Sequence, residues 1–283
     1  MVRTSIDGYV RAMEGFSVVE EGPWPWLQLA GDPRFRVIRT TLPVHGWPPE
    51  LNGWTFVHLS DVHIRKVWEP VLDGVVDVIR TSAAQAVFCS GDWVEDKIDH
   101  TPALPHVRRL LDLIQTPCGT HSVIGNHDGP KLARHLRDAP AQFIDHRLTL
   151  IQARSHEIEL IGVGGYRRKH ARVHRFPLYP TRRPGVPRIV LGHYPSLIRM
   201  VSLHLQPDLY LTGHTHGGQV CLPGWGPLIS HDTLPKKYAT GIHRWSDTWL
   251  SVSRGIGFSD WQIRVWCPPE ITVITVVGGR KDV

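Results

Sequence analysis

The chain predicts an α/β fold with two sheets and its chemistry gathered at the carboxyl ends of strands. Three observations predict it. In the first half, short apolar runs alternate with segments of helical periodicity, the pattern of a sheet flanked by helices. Five apolar runs along the chain end in polar clusters rich in Gly, Asp, Asn or His, where open α/β sheets carry their sites. From Phe143 onward short strand-like runs follow one another with little helix between them, which predicts a second, more antiparallel sheet.

Taken in order, residues 1–33 are largely polar, include Pro23-Trp24-Pro25-Trp26, and read as an irregular N-terminal arm. The main domain is expected over 34–283, with the tryptophan pair packed on it. Residues 35–42 alternate as a strand, and Pro43, which has no donor for a ladder, is expected to end it. The buried strand at 54–60 leads into Asp61-Val62-His63. Val71, Leu72, Val75, Val76, Val78 and Ile79 then recur at helical spacing. The strand at 86–89 leads to Ser90-Gly91-Asp92, a second amphipathic helix covers 104–114, and the strand at 121–124 leads to Gly125-Asn126-His127-Asp128.

Short strands are expected at 148–151 and 158–163. A Pro-rich basic connection covers 166–188, with Arg167, Arg168, Lys169, Arg172, Arg175, Arg182, Arg183 and Arg188 and no acid. The strand at 189–191 ends in Gly192-His193, a helix begins near Ser196, and the strand at 207–211 delivers Thr212-Gly213-His214-Thr215-His216-Gly217-Gly218-Gln219. Strands at 250–252, 263–266 and 271–277 are expected to close the second sheet.

With 283 residues and 41% hydrophobic content, the chain is long enough to bury a sizeable core. A formal charge of +6 and a pI near 9.3 favour phosphate-bearing partners or anionic surfaces. The cysteines Cys89, Cys118, Cys221 and Cys267 form no Cys-x-x-Cys pair, as in a reduced chain. The first thirty residues lack the apolar core of a signal peptide, and no run approaches the ~20 apolar residues of a spanning helix. The expected location is cytoplasmic, with peripheral contact at the inner membrane face.

Each strand ending has a bland explanation alone, as a cap, a turn or a satisfied histidine. Together Asp61/His63, Asp92, Asn126/His127, His193 and His214/His216 point to one shared site. The spacing of His214 and His216 sends both side chains to one side of an extended segment, between glycines that leave room for a metal or phosphate. Carboxylate, imidazole and amide oxygen together suit Mn, Fe or Zn. These ligands exceed the roughly four to six of one ion, so two ions sharing a carboxylate are expected. Two such ions ~3.5–4 Å apart activate a water and clamp the oxygens of an in-line displacement at phosphorus.

These residues give the chain its resemblance to the calcineurin-like metallophosphoesterase superfamily. The motifs stand in order as Asp61-x-His63, Gly91-Asp92, Gly125-Asn126-His127, Gly192-His193 and Gly213-His214-Thr215-His216. The extension Gly217-Gly218-Gln219, with Ser253-Arg254-Gly255-Ile256-Gly257 and Cys267-Pro268-Pro269-Glu270-Ile271, resembles one bacterial subgroup marked by Gly-His-Thr-His-Gly-Gly-Gln. The resemblance implies a four-layer α-β-β-α sandwich of two mixed sheets with the dimetal site at strand C-terminal ends. It implies one metal on Asp61, His63, Asp92 and His216, and a second on Asp92, Asn126, His193 and His214. A hydroxide between them would be the nucleophile, and His127 would serve the leaving oxygen as proton donor or stabilise phosphoryl charge. Many relatives carry Asp three residues after the bridging Asp to orient the catalytic His. Here Glu95 stands there and is the favoured substitute, with Asp96 or no supporting carboxylate as the alternatives.

Arg254 and Arg264 suit a substrate phosphate or, equally, a structural role on backbone carbonyls. The expected activity is a two-metal phosphohydrolase acting on a phosphodiester or pyrophosphate bond, in a nucleotide- or lipid-linked substrate. The alternatives are a phosphomonoesterase or protein phosphatase, and a non-catalytic metal-bound scaffold. Anionic lipid is a candidate partner for the basic connection; nucleic acid is not expected, since no aromatic-stacking module is recognisable.

Overall fold

The computed structural model describes residues 2–3, 8–13, 16–164 and 179–279. Two sheets stack face to face with helices on their outer faces. The first has nine strands in the order Val2–Arg3, Gly8–Met13, Phe16–Glu21, Arg36–His45, Glu270–Gly279, Trp54–Leu59, Ala86–Cys89, Thr120–Ser122 and Ala141–Phe143. The second has six, in the order Leu148–Ala153, His156–Val163, Arg188–Gly192, Leu209–Thr212, Thr248–Val252 and Gly241–Trp245.

Alternation along each strand sorts its side chains between layers. Trp54 and Phe56 join Ile189, Leu191, Leu209 and Leu211 in the core between the sheets. Their neighbours Val57 and Leu59 face the other way, against Val75, Ile79, Val107 and Leu110 of the helices Val71–Thr81 and Leu104–Leu113. On the far side Val190 and Tyr210 pack on Ile198 and Val201 of the helix Ile198–Leu205. These three cores make the four layers α-β-β-α, with both sheets mixed.

Several elements differ from the expectations. Phe16–Glu21 is no irregular arm: it pairs antiparallel with the strand Arg36–His45, from Ser17 opposite Thr41 to Glu21 opposite Val37. Its polar residues are tolerated because the strand lies toward the open end of the sheet, where Phe16 packs on the core. Pro43 does not end its strand. It lies beyond the last Ser17–Thr41 pair, so its missing N–H leaves no bond unmade on that side, and its carbonyl accepts the Trp249 indole N–H at 2.8 Å.

The second sheet is less antiparallel than expected. Its four inner strands run parallel, because Arg188–Gly192 and Leu209–Thr212 are joined by the helix Ile198–Leu205, and only the two edge strands reverse. The last strand, Glu270–Gly279, closes the first sheet rather than the second, between Arg36–His45 and Trp54–Leu59. Ile263–Val265 joins neither and pairs with Leu27–Leu29. A short helix, Gly129–His135, follows the Asn126-His127 cluster and has no counterpart in the sequence reading.

Trp24 docks on the body, its ring 5.0 Å from the Arg254 guanidinium carbon and 5.4 Å from that of Arg36. Of the basic connection, Arg167, Arg168, Lys169, Arg172 and Arg175 lie outside the described residues. Arg182 pairs with Asp208, Arg183 with Glu157 and Glu159, and buried Arg188 with Glu159. These three arginines are held in ion pairs with carboxylates of the second sheet and its connections.

Candidate metal centre

The parallel strands Trp54–Leu59, Ala86–Cys89 and Thr120–Ser122 of one sheet, and Arg188–Gly192 and Leu209–Thr212 of the other, release their predicted site residues at one edge of the sandwich. Sharp turns follow. Asp61, His63, Asp92, His214 and His216 all have positive φ, between 48° and 70°. That left-handed backbone costs about 1–2 kcal/mol per non-glycine residue, and the surrounding loops hold it. The amides of Asp61, His63 and Ile64 donate to the carbonyls of Gly91, Asp92 and Trp93 at 2.8–3.1 Å. Gly213 N–H donates to the His193 carbonyl at 3.2 Å.

Two groups of donors result. In the first, His63 Nε2 and His216 Nε2 are 3.1 Å apart, and Asp61 Oδ1 is 3.3 Å from His216 Nε2 and 3.9 Å from His63 Nε2. In the second, His193 Nε2 is 3.0 Å from Asn126 Oδ1 and 3.3 Å from Asp92 Oδ2. The same Asp92 oxygen lies 3.8 Å from His63 Nε2, so it stands between the groups. His193 Nδ1 donates to the Ser90 carbonyl at 2.8 Å, which turns its Nε2 toward Asp92 and Asn126. His214 Nε2 donates to the His231 carbonyl at 3.2 Å, leaving Nδ1 as its nitrogen for an ion, while its amide donates to the Asp61 carboxylate.

Donor atoms that converge this closely are held together by shared protons or by a metal ion between them. Their 3.0–3.9 Å separations are those of donors sharing an ion at about 2.0–2.2 Å. The mixed imidazole, carboxylate and amide set fits a divalent ion of the Mn, Fe or Zn kind.

The electrostatics agree. Burial opposes the charged form of His63, yet the Asp61 and Glu95 carboxylates and Asp92 hold it up to about 10. His193, equally buried, is held up to about 9 by Asp92 and Asp61. The Asp61 and Asp92 carboxyls sit well below the usual range, against burial, because histidines surround them. Burial and the neighbouring His193 push His214 down to about 3. The two carboxylates thus create a strongly cation-seeking pocket.

His127 occupies the cleft wall with its Nδ1 donating to the main-chain carbonyl of Glu95 at 2.6 Å. Burial holds its ring below the ordinary histidine value, with Asp92 opposing. Its amide donates to Asp92 Oδ1 at 2.8 Å, so the same backbone step positions both residues. The Glu95 carboxylate does not orient His127 as expected. Its Oε2 stands 2.6 Å from His63 Nδ1, out of line for a straight hydrogen bond, and 3.7 Å from His127 Nδ1. The side chain is long enough to pass His127 and reach His63. Asp96 takes neither role; it accepts the amides of Ile98 and Asp99.

Arg254 and Arg264 do not line the cleft. Buried Arg254 donates to Glu270 at 2.5 Å, and buried Arg264 donates to the carbonyls of Arg254 at 2.8 Å and Gly257 at 2.5 Å. Their planar forks satisfy main-chain acceptors and a carboxylate behind the His216 loop, the structural alternative of the two.

Asp128 was missed by the sequence reading. Wholly buried, its carboxylate accepts the amides of Asp92, Trp93, Val94 and Gly125 at 2.7–3.3 Å and shapes both loops that carry Asp92 and His127. Burial and the Asp92 charge push it up to about 7 against those amides. Its signal was its place directly after His127, at the end of the Gly125-Asn126-His127-Asp128 cluster. Ser90 Oγ also contacts His58 Nε2 at 3.0 Å and donates to Ser60 Oγ at 2.7 Å, and Ser60 donates to Asp61, a buried relay that fixes the first carboxylate.

The centre opens into a cleft of about 220 Å³ whose lining includes Asp92, Asn126, His127, His214 and His216 together with the apolar Val220, Leu228, Ile229 and Trp261. Gln219 fastens the loop at 259–261: its amide donates to the carbonyls of Ser259 and Trp261, and its carbonyl accepts the Ser259 amide.

The model of the calcineurin-like phosphoesterase family matches residues 55–218, the segment that carries all five strand ends. The chain belongs to this family. It is a metal-dependent phosphoesterase, a hydrolase acting on ester bonds. It is 28% identical over 256 residues to the uncharacterized metallophosphoesterase YkuE of Bacillus subtilis, covering 84% of this chain and 83% of YkuE. It is 29% identical over 168 residues to the phosphodiesterase YaeI of Escherichia coli, covering 56% of this chain and 58% of YaeI. Among solved structures, TT1561 of Thermus thermophilus matches 71% of this chain and 89% of its own at 14% identity, with a TM-score of 0.46. Among the described residues no helix is long and apolar enough to cross a membrane.

Proposed function

We propose that this phosphoesterase hydrolyses a phosphodiester or pyrophosphate bond, in a nucleotide- or lipid-linked substrate, at two metal ions of the Mn, Fe or Zn kind. Asp61, His63, Asp92 and His216 would hold the first, and Asp92, Asn126, His193 and His214 the second. The chemistry such ions supply is a water made acidic enough to attack at neutral pH and charge neutralisation on the phosphoryl oxygens.

The protein's own groups do the rest. Because His127 Nδ1 is committed to the Glu95 carbonyl, Nε2 is the atom that exchanges a proton with the leaving oxygen. Ser259 Oγ, 3.5 Å from that Nε2, helps orient the ring. Gln219, by holding residues 259–261, keeps this wall in position.

The lining of the cleft carries the choice of bond. Among the described lining residues Lys97 is the one lysine or arginine, and it stands 3.9 Å from Asp260. A dianionic monoester calls for a cationic clamp. A diester carries a single charge and a second substituent, which the apolar wall of Val220, Leu228, Ile229 and Trp261 suits. The phosphodiesterase name of YaeI supports the same reading.

The test compares metal content and hydrolysis of an aryl phosphodiester and its monoester by the wild type, His127→Ala and Asp92→Asn. The expected result is two metals per chain and faster diester turnover. His127→Ala should keep the metals and lose ~10²–10⁴ in rate, while Asp92→Asn loses both. Faster monoester turnover by the wild type would overturn the diester reading.

A further inference from the structure

Beside the cleft a small lobe presents apolar side chains to the outside. Cys221–Leu222 and Gly226–Pro227 pair as a hairpin, whose Pro223-Gly224-Trp225 tip is closed by the Trp225 amide donating to the Leu222 carbonyl at 3.0 Å. Trp225 is 86% exposed, and Leu222, Leu228 and Ile229 are exposed as well. Leu228 and Ile229 also belong to the cleft wall, as does Trp261, 59% exposed, so the apolar surface runs from the catalytic cleft to the hairpin tip.

Charge accompanies it. From Gly213 to Trp245 Asp232 is the sole acid, against Lys236, Lys237 and Arg244. The Asp232 carboxylate is occupied by the amides of Ser196 and Leu234. Lys236 Nζ donates to the Leu228 carbonyl at 2.9 Å, which fixes a cation at the base of the apolar tip.

We propose that this lobe docks the protein on an anionic lipid surface, with Trp225 and Leu222 in the interfacial layer and the catalytic cleft opening onto that surface. Indole rings settle at the headgroup level, aliphatic neighbours enter the acyl boundary, and lysines behind them meet anionic headgroups. A protein partner typically covers about 800 Å² on each side. A hairpin of two-residue strands with one tryptophan at its tip is instead a wedge, the shape of an interfacial anchor. The inference rests on the lobe and not on which ester bond is cleaved.

The test sediments the full chain with vesicles of equal parts phosphatidylglycerol and phosphatidylcholine, and with phosphatidylcholine alone, in low and high salt. Brominated acyl chains serve as quenchers of tryptophan fluorescence. Binding to the anionic vesicles, weakened by salt and accompanied by quenching, is expected. The double variant Trp225→Ser with Leu222→Ser should partition about tenfold less, while hydrolysing a soluble aryl ester at the wild-type rate. Lys236→Glu with Lys237→Glu should bind less and lose the salt dependence. Failure of the wild type to bind anionic vesicles, equal binding to phosphatidylcholine alone, or undiminished binding of the Trp225 and Leu222 variant overturns the proposal. Sedimentation is read without turnover, so loss of the diester reading leaves it standing.

Discussion

Glu95 serves two histidines through two different groups: its carboxylate faces His63 and its main-chain carbonyl holds His127. The consequences of changing its side chain therefore fall chiefly on His63, which the carboxylate approaches to 2.6 Å against 3.7 Å for His127. Glu95→Gln removes the charge that makes His63 a better ligand, so metal affinity should fall ~10–100-fold. At saturating metal the pH dependence contributed by His127 should stay as in the wild type, because the carbonyl is unaltered. Metal titration and a pH–rate profile check this, and unchanged affinity with a shifted profile would reverse the assignment. The metal-ligand candidates were legible in the sequence because each sits where a strand stops, and all but Asp61 and His63 stand beside a glycine. Asp128 was not legible in the same way. Its four amide partners come from two loops some 35 residues apart in the chain, and nothing local distinguishes such a carboxylate from a turn former.

At the scale of elements, the strand-to-loop transitions decide whether the donors meet. Gly213 precedes His214, and a Cβ there would overlap Ser60 Oγ and the Asp61 carboxylate. Gly213→Ala should push the two loops apart, costing about 1–3 kcal/mol of stability, with fewer than two metals bound per chain. Thermal melts and metal analysis would detect it, and a fully loaded variant of wild-type melting temperature would contradict the argument. Strand and helix positions were readable wherever periodicity was strong, as in Val71–Thr81. Sheet membership was not. Glu270–Gly279 has the same apolar character as a second-sheet strand, and its central place in the first sheet comes from pairing across more than 200 residues of chain. Arg254 and Arg264 were ambiguous for a related reason: an arginine suited to phosphate is equally suited to a buried carboxylate and carbonyls.

For the whole molecule, buried histidines make stability depend on pH. His58, between the sheets and bonded to Ser90 and Ser251, is pushed by burial from 6.5 down to about 3. Its folded-state pKa lies below the unfolded value, so the fold favours the neutral ring. That contribution is complete above about pH 6.5 and is lost as pH falls toward 3. The metal-free chain should therefore lose about 2 kcal/mol from this group by pH 5, and His58→Gln should flatten the decline in melting temperature with acidity. An equally steep decline in that variant would remove His58 from the account.

The sequence by itself determined the α/β class and the five strand ends, and it offered a candidate ligand set of the kind phosphoester chemistry uses. Periodicity and glycine-flanked Asp, Asn and His are local properties, and they survive in a one-dimensional reading. Tertiary structure decided how the two sheets share their strands, that Arg254 and Arg264 brace the fold, that Glu95 faces His63, and that Lys97 is the one lysine or arginine among the described residues lining a cleft with apolar side chains. Each of these depends on which distant segments a side chain meets once both sheets close over a common core. Chain order alone does not specify those meetings.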